Sequence, residues 1–367
     1  MSSRFQACGT GLGLGVAVLL SGCGSATNAT LSDPATTSAQ VAALDSAFGA
    51  PALGSFQSLG SSITPAPPVA QMAARAIRVA RVHSGGSYAN LASMSKSIRQ
   101  FVPAFAAMGR SAIFGTVDGS VYTWNTSTDS YQQSATTGGP SNGVRFILYA
   151  VDPLTDMPSL PLTQVGYVDL MDESTGSAAI LHVKVNNTGG TITYLDYIFT
   201  GSGSSTNFSA SASGTVTNGL SGSANKTLSF NVSITGGSSS ETLSSTYTLN
   251  NPAVTVTEGL TVADNGTTLT LTVNFTFSRT GETVNAQGTI AINDADGSGT
   301  VNVTFKVNGS TYATLTGNVN SPSLARSGGG QLSGAEQDAL GHLFIAAADI
   351  SEKTGEIFNP AESVLGF

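Results

Sequence analysis

The sequence predicts a mainly β protein, built as a long curved antiparallel meander sheet with flanking N-terminal and C-terminal helices. Three observations carry that expectation. Only 10% of the residues are charged, and Gly alone contributes 43 of 367; with Thr, Ser, Asn and Val abundant, this suits half-buried strands better than helices. From about residue 111 onward, apolar and polar residues alternate in runs of roughly 8–10 residues, the period of a sheet with one wet face. Gly, Asn, Asp and Ser clusters such as "NNTGG", "ADNGTT" and "DADGSG" separate the runs, as hairpin turns require.

The chain opens differently. Arg4 is followed by the apolar run "GLGLGVAVLL" at 11–20, too short for a spanning helix of about 20 residues but suited to the core of a signal peptide. It leads into Leu20-Ser21-Gly22-Cys23: an aliphatic residue, two small residues that let a peptidase reach the backbone, and a thiol able to form a thioether. This stretch resembles the lipobox of bacterial lipoproteins. The resemblance implies cleavage between Gly22 and Cys23, diacylglycerol on the Cys23 sulfur, palmitate-type chains at the new N-terminus, and a membrane as partner through that anchor. Several acyl chains make such anchoring effectively permanent. Gly24, where an aspartate would signal retention, implies the outer membrane of a Gram-negative envelope. Cleavage would also remove Cys8, the other of two cysteines, leaving no pair for an intrachain disulfide.

Residues 23–65 read as a lipid-anchored tether, small and polar at first. A short helix over "AQVAALDSAF" would set Val41, Leu44 and Phe48 on one face. Residues 66–110 form a basic helical segment: Arg75, Arg78 and Arg81 recur every third residue, and no acidic residue lies between Asp45 and Asp118. Their stripe is a candidate contact for anionic lipid headgroups, weighed against a solvated face that balances an acidic protein.

Residues 111–325 are the meander. Leu228, Phe230, Val232 and Ile234 alternate with polar neighbours, as do Leu271, Val273, Phe275 and Phe277, and Val301, Val303, Phe305 and Val307. No fixed repeat length is visible, which excludes a propeller or solenoid. Residues 326–367 return to helix, where Ser333 and Glu336 form a capping-box pair before Leu340, Leu343, Phe344 and Ala347. That apolar stripe needs a surface, and the apolar face of the sheet is the expected one.

Chemistry is sparse. Acidic residues outnumber basic ones 22 to 14, which excludes nucleic acid as the main partner. There is no H-E-x-x-H, no G-x-S-x-G and no phosphate loop between strand and helix; no cofactor is expected, and no enzymatic activity. Of His83, His182 and His342, His182 is in register with Lys184 and is expected to face solvent. Asp294, Asp296 and Ser298 match the start of an EF-hand loop, but Phe305 stands where its bidentate glutamate belongs; a hairpin turn explains the same residues. Asp169, Asp172 and Glu173 read as a solvated strand end rather than an acid/base pair, and Trp124 as a packed strand residue rather than a sugar platform. The expected role is therefore non-enzymatic, structural or interaction-based, in the cell envelope. The alternatives are a carrier of lipid or another apolar ligand in a half-barrel-like cavity and, as a lesser one, a transmembrane β-barrel.

Overall fold

In a computed structural model, the structure describes residues 29–62, 114, 117–152, 154–175, 178–204, 206–237, 239–293, 296, 298–343, 357–358 and 360. Two helices come first, α1 (Pro34–Asp45) and α2 (Pro51–Ser62), joined through a short 3-10 turn at Ser46–Phe48. The strands follow: β1 (Ser120–Asn125), β2 (Ser130–Thr137), β3 (Gly143–Tyr149), β4 (Val151–Asp152), β5 (Met157–Pro158) and β6 (Gln164–Asp172). Next are β7 (Ala179–Asn187), β8 (Thr193–Ser204), β9 (Asn207–Thr217), β10 (Thr227–Gly237), β11 (Ser240–Asn250) and β12 (Ala253–Asp264). The last are β13 (Thr268–Arg279), β14 (Glu282–Asn293), β15 (Gly299–Val307), β16 (Ser310–Asn318) and β17 (Ser321–Arg326). A third helix, α3, is described over residues 334–343.

Fifteen of these strands form one sheet in the order β17-β16-β15-β14-β13-β12-β11-β10-β9-β8-β7-β6-β3-β1-β2, and β4 and β5 make a small ribbon of their own. From β6 to β17 the sheet is the expected antiparallel meander. It departs from it once. β3 lies beside β1 rather than beside β2, and since β1 and β2 already form a hairpin, this placement makes β1 and β3 parallel, with Val121 opposite Arg145. Alternation within a strand carries no record of its neighbour, so periodicity could not reveal this.

The alternating residues divide the two faces as their parity demands. Leu228, Phe230, Leu271, Phe275, Phe277, Ile290, Val303 and Phe305 are buried on the inner face. Their neighbours Asn231, Thr246, Thr272 and Thr276 occupy the outer, wet one. Gly166 leaves room for a close approach of helix and sheet: a Cβ there would meet Asn186 O at 2.2 Å and Ala52 Cβ at 3.1 Å, so α2 can lie directly on β6.

The N-terminal stretch corrects the expected tether over its described residues. Asp33 caps α1, accepting from Thr36 N–H at 3.0 Å with Pro34 in the first turn. Leu31, Leu44, Ala47, Leu53, Phe56 and Leu59 are all buried in the core. Val41 and Phe48, expected beside Leu44, are half-buried against it. A small, polar sequence reads as linker by composition, but Ala and Ser between spaced leucines also suit close helix-on-sheet packing. The basic segment at 66–110 lies outside the described residues.

At the other end of the chain the capping box forms as its residues suggest. Ser333 N–H donates to Glu336 Oε2 at 2.8 Å, and Glu336 N–H donates back to Ser333 Oγ at 3.3 Å. Ala339, Leu340 and Leu343 are buried, and His342 is exposed; Phe344 and Ala347 lie outside the described residues. Further on, Phe358 sits among Tyr197, Phe199 and Phe230, and Tyr197 donates to Ile357 O at 3.2 Å.

Candidate functional site

Antiparallel strands put every second connection at the same end of the sheet. One end, here called proximal, holds the β3–β6, β7–β8, β9–β10, β11–β12, β13–β14 and β15–β16 connections. The distal end holds β6–β7, β8–β9, β10–β11, β12–β13, β14–β15 and β16–β17.

The proximal end receives both flanking segments. At the β13–β14 turn Arg279 and Glu282 form an ion pair whose side chains are only 9% and 3% exposed. Ser32 N–H donates to Glu282 Oε1 at 2.7 Å, while Arg279 donates to Ser32 Oγ at 3.1 Å and Asp33 O at 3.3 Å. A buried pair of this kind is costly to break from one side, so it fixes the entering chain. Nearby, Glu336 of α3 accepts from the Tyr312 hydroxyl of β16 and from Arg326 at 3.1 Å, and Arg326 also reaches Ala29 O at 3.4 Å. The Tyr312 hydroxyl, followed by the Ser333 donors and Arg326, holds the Glu336 carboxyl down to about 2. Burial, then Glu336 itself, drives the Tyr312 hydroxyl upward.

A second polar cluster lies on the outer face across β3, β6, β7 and β8. Arg145, Asp169, Lys184 and Asp196 stand in one cross-strand row. Arg145 binds Asp169 through two hydrogen bonds at 2.7 and 2.8 Å and covers the Tyr167 ring at 4.0 Å. His182, expected to face solvent, lies between two carboxylates: Nδ1 is 2.7 Å from Glu173 Oε1 and Nε2 2.7 Å from Asp196 Oδ1. The ring is thus held at both nitrogens by carboxylates, with its side chain only 13% exposed. The acid cluster read from sequence is thus divided: Asp169 serves Arg145, Glu173 serves His182, and Asp172 Oδ1 accepts from Ser174 N–H at 2.9 Å to shape the turn.

Two further carboxylates point inward. Glu241 and Glu258 are 4% and 7% exposed, and Ser245 Oγ lies 3.3 Å from Glu258 Oε2. The sequence reading missed them, although parity holds the signal: Glu241 alternates with Leu243 and Tyr247, and Glu258 with Val256 and Leu260. A carboxylate in register with an apolar row is an inward charge.

Of the residues singled out from sequence, Gly22, Cys23, Arg75, Arg78, Arg81 and Asp294 lie outside the described residues. Asp296 and Ser298 sit in the β14–β15 hairpin: Ser298 N–H donates to Asp296 Oδ1 at 2.9 Å, and hydrogen bonding from Ser298 lowers the Asp296 carboxyl below its ordinary value. Asn293 N–H closes the turn on Ser298 O at 2.7 Å. Those bonds are turn chemistry. Among the described residues no group of three or more His, Cys, Asp or Glu side chains is arranged to hold a metal ion. Trp124 is buried, edge-on to Tyr131 at 5.4 Å, and so belongs to the packing of β1 on β2.

Comparison with known protein families, with curated proteins and with solved structures finds no match. Among the described residues no helix is long and apolar enough to cross a membrane, which leaves crossing by strands unaddressed.

Proposed function

We propose that this chain is a non-enzymatic, lipid-anchored protein of a bacterial cell envelope with a structural or interaction role, carried on the outer membrane by Cys23. The observation that supports it most is the continuity between the Leu20–Cys23 pattern and the latch at Ser32. Only a few residues separate the candidate acylation point from a buried ion pair that ties the chain to the sheet. An anchor so placed holds the β domain close to the bilayer.

The side chains of Leu340, Leu343 and Phe358 pack against the core, which favours a filled interior over a carrier's ligand cavity. The outer face, lined with Ser, Thr and Asn from β10 to β15, lacks the apolar band of a membrane barrel. The polar clusters described above are engaged in ion pairs, caps and turns, in keeping with a structural role.

The test is chemical. Mass spectrometry of the N-terminal peptide from the native host should show diacylglyceryl and acyl groups on Cys23. The mature-length chain, residues 23–367 with Cys23→Ser, should lack that mass and enter the aqueous phase on detergent partitioning, where the native chain enters the detergent phase. An unmodified Cys23, or a serine variant that stays in the detergent phase, contradicts the proposal.

A further inference from the structure

The described surface exposes five large apolar side chains, and four of them stand in connections at the proximal end: Leu154 at 92%, Leu160 at 69%, Leu220 at 56% and Ile192 at 36%. Leu154 and Leu160 belong to the excursion between β3 and β6, Ile192 to the β7–β8 turn and Leu220 to the β9–β10 connection. These connections serve strands that are neighbours in the sheet, so the four residues follow one continuous stretch of its rim. The distal end is built differently. Its described turns hold Asp172, Glu173, Asp264 and Asp296, no Lys or Arg, and no exposed large apolar residue.

Single exposed leucines are ordinary on a soluble surface. Four of the five stand at the end where the entering chain is also fixed, and the fifth, Ile198, lies on the outer face of β8. Cys23 precedes Ala29 by six residues, an extended reach of at most about 20 Å, and Ala29 is held at the proximal end by Arg326. An anchored chain therefore brings that end of the sheet toward the lipid. We infer that the proximal rim is a membrane-docking surface, in which Leu154, Leu160, Ile192 and Leu220 enter the interfacial layer of the bilayer. This rests on the anchoring proposed above for its biological setting, but the surface itself is independent of acylation.

The chemistry sets the strength. The exposed parts of the four side chains amount to about ten apolar carbons, somewhat less than one myristoyl chain, whose binding constant is about 10⁴ M⁻¹: marginal and reversible alone, decisive once a tether supplies proximity. Because the contact is apolar, it should not depend on anionic lipid or weaken with salt, unlike a contact made by Arg75, Arg78 and Arg81.

The experiment is co-sedimentation of the mature-length chain, residues 23–367 with Cys23→Ser, with phosphatidylcholine vesicles at low and high salt. The expected result is weak, salt-insensitive binding that falls about tenfold or more when Leu154, Leu160, Ile192 and Leu220 are all changed to Ser. The distal control, Asp264→Asn with Asp296→Asn, should bind as the parent does. Absence of binding to zwitterionic vesicles, or equal binding by the rim variant, overturns the inference, and a protein partner is then what the rim fits. Circular dichroism on each variant separates loss of binding from loss of fold. The two proposals fail separately: an unmodified Cys23 with rim-dependent binding removes the anchor alone, whereas an acylated Cys23 with rim-independent binding removes the rim alone.

Discussion

The two ends of the sheet close the same number of its meander connections, yet among the described residues only the proximal end is tied to the segments that flank the sheet. At the proximal end a buried ion pair, a capped helix and a tyrosine–glutamate–arginine cluster bind residues 29–33 and α3 to the strand ends. At the distal end Asp172, Asp264 and Asp296 each accept from the backbone N–H two residues ahead, and the side chain of Asn142 reaches Asp172 O only across neighbouring strands. Local turn chemistry is therefore enough to reverse a strand. Fixing one end of a sheet relative to an incoming chain takes buried, long-range contacts.

That difference predicts unequal sensitivity. The largest effect belongs to the Arg279–Glu282 pair. Glu282→Ala leaves a guanidinium buried and removes the acceptor of Ser32 N–H, and should cost about 3–5 kcal/mol in denaturant unfolding. A smaller loss would mean that the entering chain is not held there.

Next is Glu336. Glu336→Gln should cost about 1–3 kcal/mol, because the Tyr312, Arg326 and Ser333 donors lose a charged acceptor. Its pH signature has a definite sign. The folded carboxyl sits at about 2 against an ordinary 4.5, so its contribution is complete above about 4.5 and is lost as pH falls from there toward 2. Unfolding measured across that window should converge for the parent and the glutamine variant at the acid end. Parallel curves would deny the glutamate its role.

Smaller still, Leu220→Ser should change stability by no more than about 0.5 kcal/mol, since the side chain is exposed, while it weakens vesicle binding. Asp296→Asn, at the distal end, should change neither stability beyond about 0.5 kcal/mol nor lipid binding. An equal effect of both substitutions on vesicles would erase the distinction between the ends.

How much of this could be read from sequence follows the range of each interaction. The strands were legible because alternation is local: Leu228 to Val232 and Val301 to Val307 face inward as their parity says. The Ser333–Glu336 cap was legible for the same reason. The fold of residues 29–62 was not, because their burial depends on a sheet that begins some sixty residues later, and composition alone resembled a linker. The parallel β1–β3 pair depends on which side of a hairpin the next strand joins. The clusters at Arg279–Glu282 and at His182 depend on register, which sets which side chains meet across strands. The rim was hidden most completely: Leu154, Ile192 and Leu220 are far apart in the chain, and nothing local marks them as neighbours at one end.

The central claim is that the proximal end faces lipid and the distal end faces water. Single spin labels on otherwise native, anchored protein in vesicles test it most directly, one placed through Leu220→Cys and one through Asn265→Cys in the β12–β13 turn. Power-saturation accessibility should show the label at 220 exposed to oxygen and shielded from a water-soluble nickel reagent, and the label at 265 the reverse. Equal access of the nickel reagent to both labels contradicts the claim.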